Sequence, residues 1–298
     1  MNLEEIHNRV QLLWPGKVSK KIYLSGDKFW DKLREEIPSQ LIQGLKKHND
    51  TIGDALSQGQ IKSKQWLLKK LKGIDLGIVF ICAGWYGTLA TMMFEDENIY
   101  VDKIRSFDID DSCWKIAEDL NELWKADSWT FKATTLDIVS FFTDGFYSDK
   151  DSVTETKVTT ETIVHNKITN LNNTWQTNKI IKDPIIKTNN PVKHIDKNKT
   201  YHYYTINVKG EPKLCQEVPD TIINTSCEHI EKFTEWFNAI PKDKLVALQT
   251  NNYFELSEHV NCVRDINQFK QQAPLSNIIY EGELELEKYT RYMLIGYK

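Results

Sequence analysis

Proline and glycine are scarce in this chain, 8 and 13 in 298 residues. Collagen-like and Pro/Gly-rich disordered classes are thereby excluded. Cysteine is sparse too: Cys82, Cys113, Cys215, Cys227 and Cys262 are odd in number, far apart and free of any Cys-x-x-Cys pair. That spacing argues against a disulfide framework and a structural zinc site, and leaves buried thiols as the expectation. No run of eighteen apolar residues occurs, and the N-terminus, Met1-Asn2-Leu3-Glu4-Glu5, is acidic where a secretion signal is basic and then apolar. The reading is a cytoplasmic protein with no membrane partner. What is present suits a large core: 40% hydrophobic residues, with 12 Phe, 12 Tyr and 9 Trp, enough for one large domain or one domain with an insertion. The formal net charge of −4 is unevenly spread. Residues 157–213 hold ten Lys against four acids, a surplus of six that leaves −10 on the remainder.

Four stretches differ in texture. Residues 1–60 read as a helical extension, with apolar residues at helical spacing around Trp30-Asp31-Lys32-Leu33 and breaks at Pro15 and Pro38. Residues 61–143 read as the first part of an α/β domain. A helix over 61–71 has Ile61, Trp66, Leu67 and Leu71 as its apolar face and closes at Lys72-Gly73. Gly77-Ile78-Val79-Phe80-Ile81-Cys82-Ala83 is a continuous apolar run of strand length, which predicts a strand buried on both faces, as in parallel sheets. It runs into Gly84-Trp85-Tyr86-Gly87-Thr88, a helix over 89–94, a strand over 103–110 ending in acids, an amphipathic helix over 112–124 and a third strand over 129–134. Strand, glycine turn, helix and strand make a βαβ unit with a right-handed crossover. Residues 144–219 carry short Thr, Val, Ile, Asn and Lys patches (156–164, 180–186, 201–208) and read as a β-rich insertion. In residues 220–298 the α/β pattern resumes: a strand over 221–225, a helix over 230–240, a buried strand over 245–249 and a helix over 262–271. Strands over 276–286 and 289–297 then flank a tight Glu287-Lys288 turn and must be antiparallel.

A glycine turn after the first strand of a parallel sheet brings backbone close to a ligand, and a carboxylate ending the next strand can bind a ribose. Here these are Ala83-Gly84-Trp85-Tyr86-Gly87 and Asp108. A plain strand-to-helix turn with a helix-capping Asp is the alternative. The turn lacks Gly-x-Gly-x-x-Gly and any Lys-Ser/Thr, so a dinucleotide fold and a P-loop are poorly supported. Asp108-Ile109-Asp110-Asp111-Ser112, followed by Ile116-Ala117, resembles the second motif of class I S-adenosylmethionine-dependent methyltransferases, and the terminal hairpin resembles that family's sixth and seventh strands. The resemblance implies a three-layer Rossmann-like methyltransferase fold, with a mostly parallel seven-stranded sheet, an antiparallel last strand, and S-adenosyl-L-methionine as cofactor. On it, Ala83, Gly84 and Gly87 lie beneath the methionine part of the cofactor, with Trp85 and Tyr86 in the same turn. Asp108 holds the ribose with Ile109 beside it, and Asp137 approaches the adenine amino group. The whole chain also resembles methyltransferase-like proteins of tailed bacteriophages, which implies a host-cell cytoplasm.

The fourth strand ends in Asn224-Thr225-Ser226-Cys227-Glu228-His229, where such enzymes present residues to the acceptor. Asn224, also a cofactor contact by the resemblance, Glu228 and His229 are candidates to orient the acceptor or take its proton. Glu228 and His229 could equally open the next helix, where Glu suits the dipole. Cys227 reads as a buried thiol in preference to a nucleophile. After the fifth strand, Asn251, Asn252 and Tyr253 could bind an acceptor or be ordinary loop residues. His229 with Glu258-His259 lacks metal-ligand spacing, so no metal is expected, and Lys62 and Lys64 read as a solvated helix face. The insertion interleaves Lys with Trp175, Tyr201, Tyr203, Tyr204, His165, His194 and His202. That pattern fits a nucleic-acid clamp, a Lys-protected hairpin extension or a homodimer arm. The function expected is methyl transfer from S-adenosylmethionine, leaning to a nucleic-acid acceptor. A catalytically silent nucleotide-binding or interaction protein, or a small-molecule transferase using the same cofactor, is the alternative.

Overall fold

The structure is a computed structural model that describes residues 55, 57–122, 124, 130–143, 192–196, 199–208 and 211–298. The helical extension over 1–60 lies almost wholly outside the described residues, as do the patches 156–164 and 180–186, His165, Trp175 and much of the Lys-rich stretch.

The chain alternates as the sequence predicts. Helix α1 (Gln58–Leu71) leads to β1 (Ile78–Cys82), α2 (Thr88–Glu95), β2 (Lys103–Asp108), α3 (Cys113–Leu120), β3 (Phe131–Thr135) and α4 (Ile138–Thr143). Three insertion strands follow, β4 (Val192–Asp196), β5 (Lys199–Val208) and β6 (Glu211–Glu217). Then come β7 (Thr221–Asn224), a 3₁₀ turn (Cys227–His229), α5 (Phe233–Ala239), β8 (Leu245–Asn251), α6 (Ile266–Gln272), β9 (Asn277–Glu285) and β10 (Thr290–Tyr297). Among the described residues no helix is long and apolar enough to cross a membrane.

Seven strands form one sheet in the order β3-β2-β1-β7-β8-β10-β9. Neighbours are parallel from β3 through β8, while β10 runs antiparallel to both β8 and β9. This is a Rossmann-like α/β sheet with the last strand reversed, the strand arrangement that the resemblance implied. The alternation of β1 explains why both faces are covered. Val79 and Ile81 join a core built with Leu67, Leu71, Ala90, Met93 and Ala117 from α1, α2 and α3. Phe80 and Cys82 join the opposite core, with Phe141, Phe142, Trp236, Phe237 and Phe269 from α4, α5 and α6. Strand residues that alternate between two apolar layers need the uninterrupted hydrophobic run seen in the sequence. Element ends differ from the sequence reading where caps decide them. The helix expected from residue 262 starts at Ile266 because the Asp265 carboxylate accepts from the Gln268 amide at 2.8 Å. Glu228 and His229 sit on a separate 3₁₀ turn and not in the first turn of α5.

The antiparallel insertion sheet, β4-β5-β6, packs against the α4 side of the main sheet. Tyr204, Ile206 and Cys215 enter that core, and the His202 ring lies 4.9 Å from the rings of Phe141 and Phe142, centroid to centroid. Tyr204 and His202, two of the aromatics read as base-stacking candidates, are thus withdrawn from solvent by alternation along β5. One buried polar junction locks the two sheets together. The Arg105 guanidinium on β2 donates to the Tyr204 hydroxyl at 2.9 Å and to both Glu217 carboxylate oxygens at 2.8 and 2.6 Å, and the Tyr204 hydroxyl also donates to Glu217. A fork-on-fork pair of this kind fixes orientation as well as distance. Removing one partner leaves a buried charge uncompensated, so Glu217→Ala is expected to cost about 3–5 kcal/mol. Urea denaturation checks this, and a midpoint unchanged from the parent would show that the junction does not hold the insertion in place.

Candidate functional site

The β1–α2 turn is built under steric constraint. Gly84 sits so close to β2 that a Cβ there would lie 2.0 Å from Ser106 Oγ, and its amide donates to the Phe107 carbonyl at 2.8 Å. Gly87 has φ +70° and caps α2, with Ala117 and Asn121 crowding the place of a side chain. Ala83 and Trp85 also adopt positive φ, 56° and 49°, a conformation costly for residues with a Cβ. Strain concentrated in one turn is held there by its neighbours. Asp108, ending β2, accepts the Trp85 amide at 2.7 Å and the Asp110 amide at 3.1 Å. Burial pushes its carboxyl above the ordinary 3.8, against the pull of those amides. Ile109 beside it is 66% exposed, an apolar surface facing solvent next to an acid. Trp85 and Tyr86 stack at 4.9 Å, with Tyr86 buried in the α2–α3 core. Asp137 is otherwise engaged, since its carboxylate accepts from the Val139 amide at 2.9 Å and the Ser140 hydroxyl at 2.7 Å, and so caps α4.

Across β1, the end of β7 opens a second polar cluster. Asn224 is fully buried; its Oδ1 accepts the Ser226 amide at 2.8 Å, while its Nδ2 has no partner among the described residues. Glu228, 1% exposed, accepts at Oε1 from Asn251 Nδ2 (2.7 Å) and from Arg291 (3.1 Å), and Arg291 also donates to the Thr225 carbonyl at 2.6 Å. Asn251 and Arg291 are direct partners in the β8–β10 register. His229 is exposed. Asn252 ties the loop after β8 to β10, accepting from the Thr290 amide at 2.8 Å and donating to the Tyr292 hydroxyl at 3.3 Å. Tyr253 stacks on Tyr289 at 5.6 Å, and Phe254, next along the same loop, is 58% exposed. Burial holds the Cys227 thiol well above its usual range, as expected of an inert buried cysteine. The structure therefore gathers Glu228, Asn251 and Arg291 in one cluster, with Asn224 at the end of the neighbouring β7, while Asn252 and Asp137 make the local contacts described above.

Three members were missed in the sequence. Ser63 Oγ donates to Gln249 Oε1 at 2.7 Å and fastens α1 to β8. Arg291 is a charged residue inside a strand that is otherwise buried, and that contrast was the available signal. Lys64 overturns the solvated-face reading. Lys62 is exposed, but Lys64 is only 6% exposed, in helical register with Ile61 and Leu68 on the apolar face. Burial first, then the nearby Arg291 charge, lower its pKa from 10.5 to about 7, with Glu228 opposing.

No protein-family model matches the sequence. No curated protein matches it either, so the expected bacteriophage resemblance finds no support. Solved structures match by shape. The N-methyltransferase NodS from Bradyrhizobium japonicum WM9 matches at 8% identity and a TM-score of 0.43, over 80% of this chain and 96% of that one. The small RNA methyltransferase HEN1 matches at 13% identity and a TM-score of 0.41, over 78% of this chain and 24% of that one. The magnesium protoporphyrin IX methyltransferase from Synechocystis PCC 6803, with bound SAM, matches at 9% identity and a TM-score of 0.39, over 100% of this chain and 98% of that one. At this level of likeness the functional reading rests on the geometry of the site.

The state of Lys64 is testable through pH. Its pKa is 10.5 for an unperturbed side chain and about 7 when folded, so unfolding takes up a proton between those limits. Stability relative to Lys64→Met should then rise in favour of the parent as pH climbs from about 7 toward 10.5. Denaturant midpoints of both proteins at about pH 6 and about pH 9 check it, and a pH-independent difference would contradict a neutral buried lysine.

Proposed function

We propose that this chain transfers a methyl group from S-adenosylmethionine to an acceptor held over the ends of β7 and β8. One juxtaposition carries the reading: a strained glycine turn after β1 is hydrogen-bonded to Asp108 at the end of β2, at the point where the strand order reverses. The residues there fit an adenosyl group. Asp108 has carboxylate lone pairs beyond those used by Trp85 and Asp110, suited to ribose hydroxyls. Ile109 offers apolar surface to a base, and the unpartnered Asn224 Nδ2 offers a donor to the cofactor's polar end. Bound there, the cofactor would supply a methyl group already activated on its sulfonium.

The chain's own work is then alignment and exclusion of water. Asn251 and Arg291 fix the Glu228 carboxylate, which suits it to orienting an acceptor more than to taking a proton. Tyr253 and Phe254 offer aromatic faces at the crevice mouth. We favour nucleic acid as the acceptor. The support is the Lys surplus over 157–213, together with those aromatic faces, since positive charge gives phosphate affinity and aromatics stack on bases.

Calorimetric titration with S-adenosylhomocysteine tests the cofactor. One-to-one binding is expected, weakened roughly tenfold to a hundredfold by Asp108→Ala through loss of charge-assisted hydrogen bonds worth about 1.5–3 kcal/mol. Asp108→Asn, which keeps an acceptor for the Trp85 amide, separates ribose binding from support of the turn. Affinity should also fall as acid protonates Asp108, beginning at higher pH than for an ordinary aspartate of 3.8. Absence of binding by the folded parent would favour the silent interaction protein. For the acceptor, transfer of labelled methyl to RNA and DNA is expected, and label recovered only on small molecules would overturn the nucleic-acid choice.

A further inference from the structure

We propose that Glu228, His229 and His259 form a binding site for one divalent transition-metal ion of the zinc or cobalt type. Residue spacing argues against a set of ligands, because His259 lies thirty positions beyond His229; the fold brings the two together with Glu228. A carboxylate oxygen of Glu228 and a ring nitrogen of each histidine all lie within 4.8 Å of one another, and the two rings sit 4.6 Å apart, centroid to centroid. A tetrahedral ion with bonds of about 2.0–2.2 Å spaces its ligand atoms roughly 3.3 Å apart, so modest side-chain rotations close the set.

The remaining polar atoms of each side chain are already engaged, as ligands require. His229 Nδ1 lies 3.1 Å from the Glu258 carbonyl and His259 Nδ1 lies 2.8 Å from the Tyr253 carbonyl. A carbonyl only accepts, so each neutral ring carries its proton on Nδ1 and a lone pair on Nε2. Glu228 Oε1 is taken by Asn251 and Arg291, whereas Oε2 is buried with no partner among the described residues. That orphaned oxygen points independently to a ligand, since a buried acceptor left unpaired is costly. Two backbone-directed bonds hold the loop against the 3₁₀ turn: the Asn261 amide to the Glu228 carbonyl at 2.9 Å, and Asn261 Nδ2 to the Cys227 carbonyl at 3.1 Å.

Two imidazoles and one carboxylate suit zinc or cobalt better than magnesium or calcium, which take oxygen ligands, and a three-ligand set leaves coordination positions open. The exposed side of His229 makes the ion reachable. An oxygen donor of the acceptor fits the open position; that role rests on the methyl-transfer reading, while ion binding does not. Arg291, 3.1 Å from Oε1, offsets part of the carboxylate charge and moderates the affinity.

The test uses the full chain, freed of metal by chelation and titrated with cobalt(II) chloride alone while visible absorption is read. One equivalent should bind with a d–d band that zinc displaces. His229→Asn and His259→Asn should each weaken binding at least about tenfold with the melting temperature retained, because neither ring is in the core. Cys262→Ser, whose thiol lies 3.8 Å from His259 Nδ1, should leave the band in place. Failure of the folded parent to bind, equal affinity in the double histidine variant, or loss of the band in Cys262→Ser would overturn the ligand set. Titration of the same metal-free sample with S-adenosylhomocysteine keeps the two readings apart. Binding of S-adenosylhomocysteine without cobalt binding removes only the metal site, and the reverse result removes only the methyl-transfer reading.

Discussion

Coverage on both faces of β1 is the constraint from which the architecture follows. Val79 and Ile81 point into one apolar layer, Phe80 and Cys82 into the other, so neither face of the sheet is available to a ligand. Helices must fill both sides, and polar chemistry is confined to the strand ends. At the C-terminal end the chain leaves β1 in a glycine turn, with β2 on one flank and β7 on the other. Asp108 and Asn224 therefore end the two strands that flank β1, although 116 positions of numbering separate them.

Much of this was legible from residue order. The apolar runs at 77–83 and 245–249 announced doubly buried strands, and the acid ending the second strand fell where the turn needed it. What stayed hidden depends on partners far along the chain. Nothing near Lys64 says that the charges of Arg291 and Glu228 will act on it, and only its helical register with Ile61 and Leu68 hints at burial. Asp137 was given an adenine contact by the resemblance alone; what residue order did not show is that a helix begins immediately after it, whose Val139 amide and Ser140 hydroxyl bond to the carboxylate. Tyr204 and His202 looked like a stacking surface, since composition cannot say which way alternate residues of a strand point once a second sheet covers one face.

Buried polar groups link elements that lie far apart in the chain. Ser63 and Gln249 join α1 to β8, and Asn251, Glu228 and Arg291 join β8, the 3₁₀ turn and β10. Buried charges contribute little net stability once desolvation is counted. Their value lies in geometry, because each satisfied bond admits one arrangement of the elements that supply it. The ends of these strands are thereby held in place by contacts made behind them.

The pairing of β1 with β7 has a consequence for biosynthesis. The Ile78 amide binds the Asp220 carboxylate at 2.9 Å across 142 positions, and β7 closes the central edge of the sheet. During translation, the first half of the domain emerges with that edge of β1 bare until the insertion has been made. An unpaired apolar edge invites pairing with another chain, so the nascent protein has a window of aggregation risk whose length is set by the insertion.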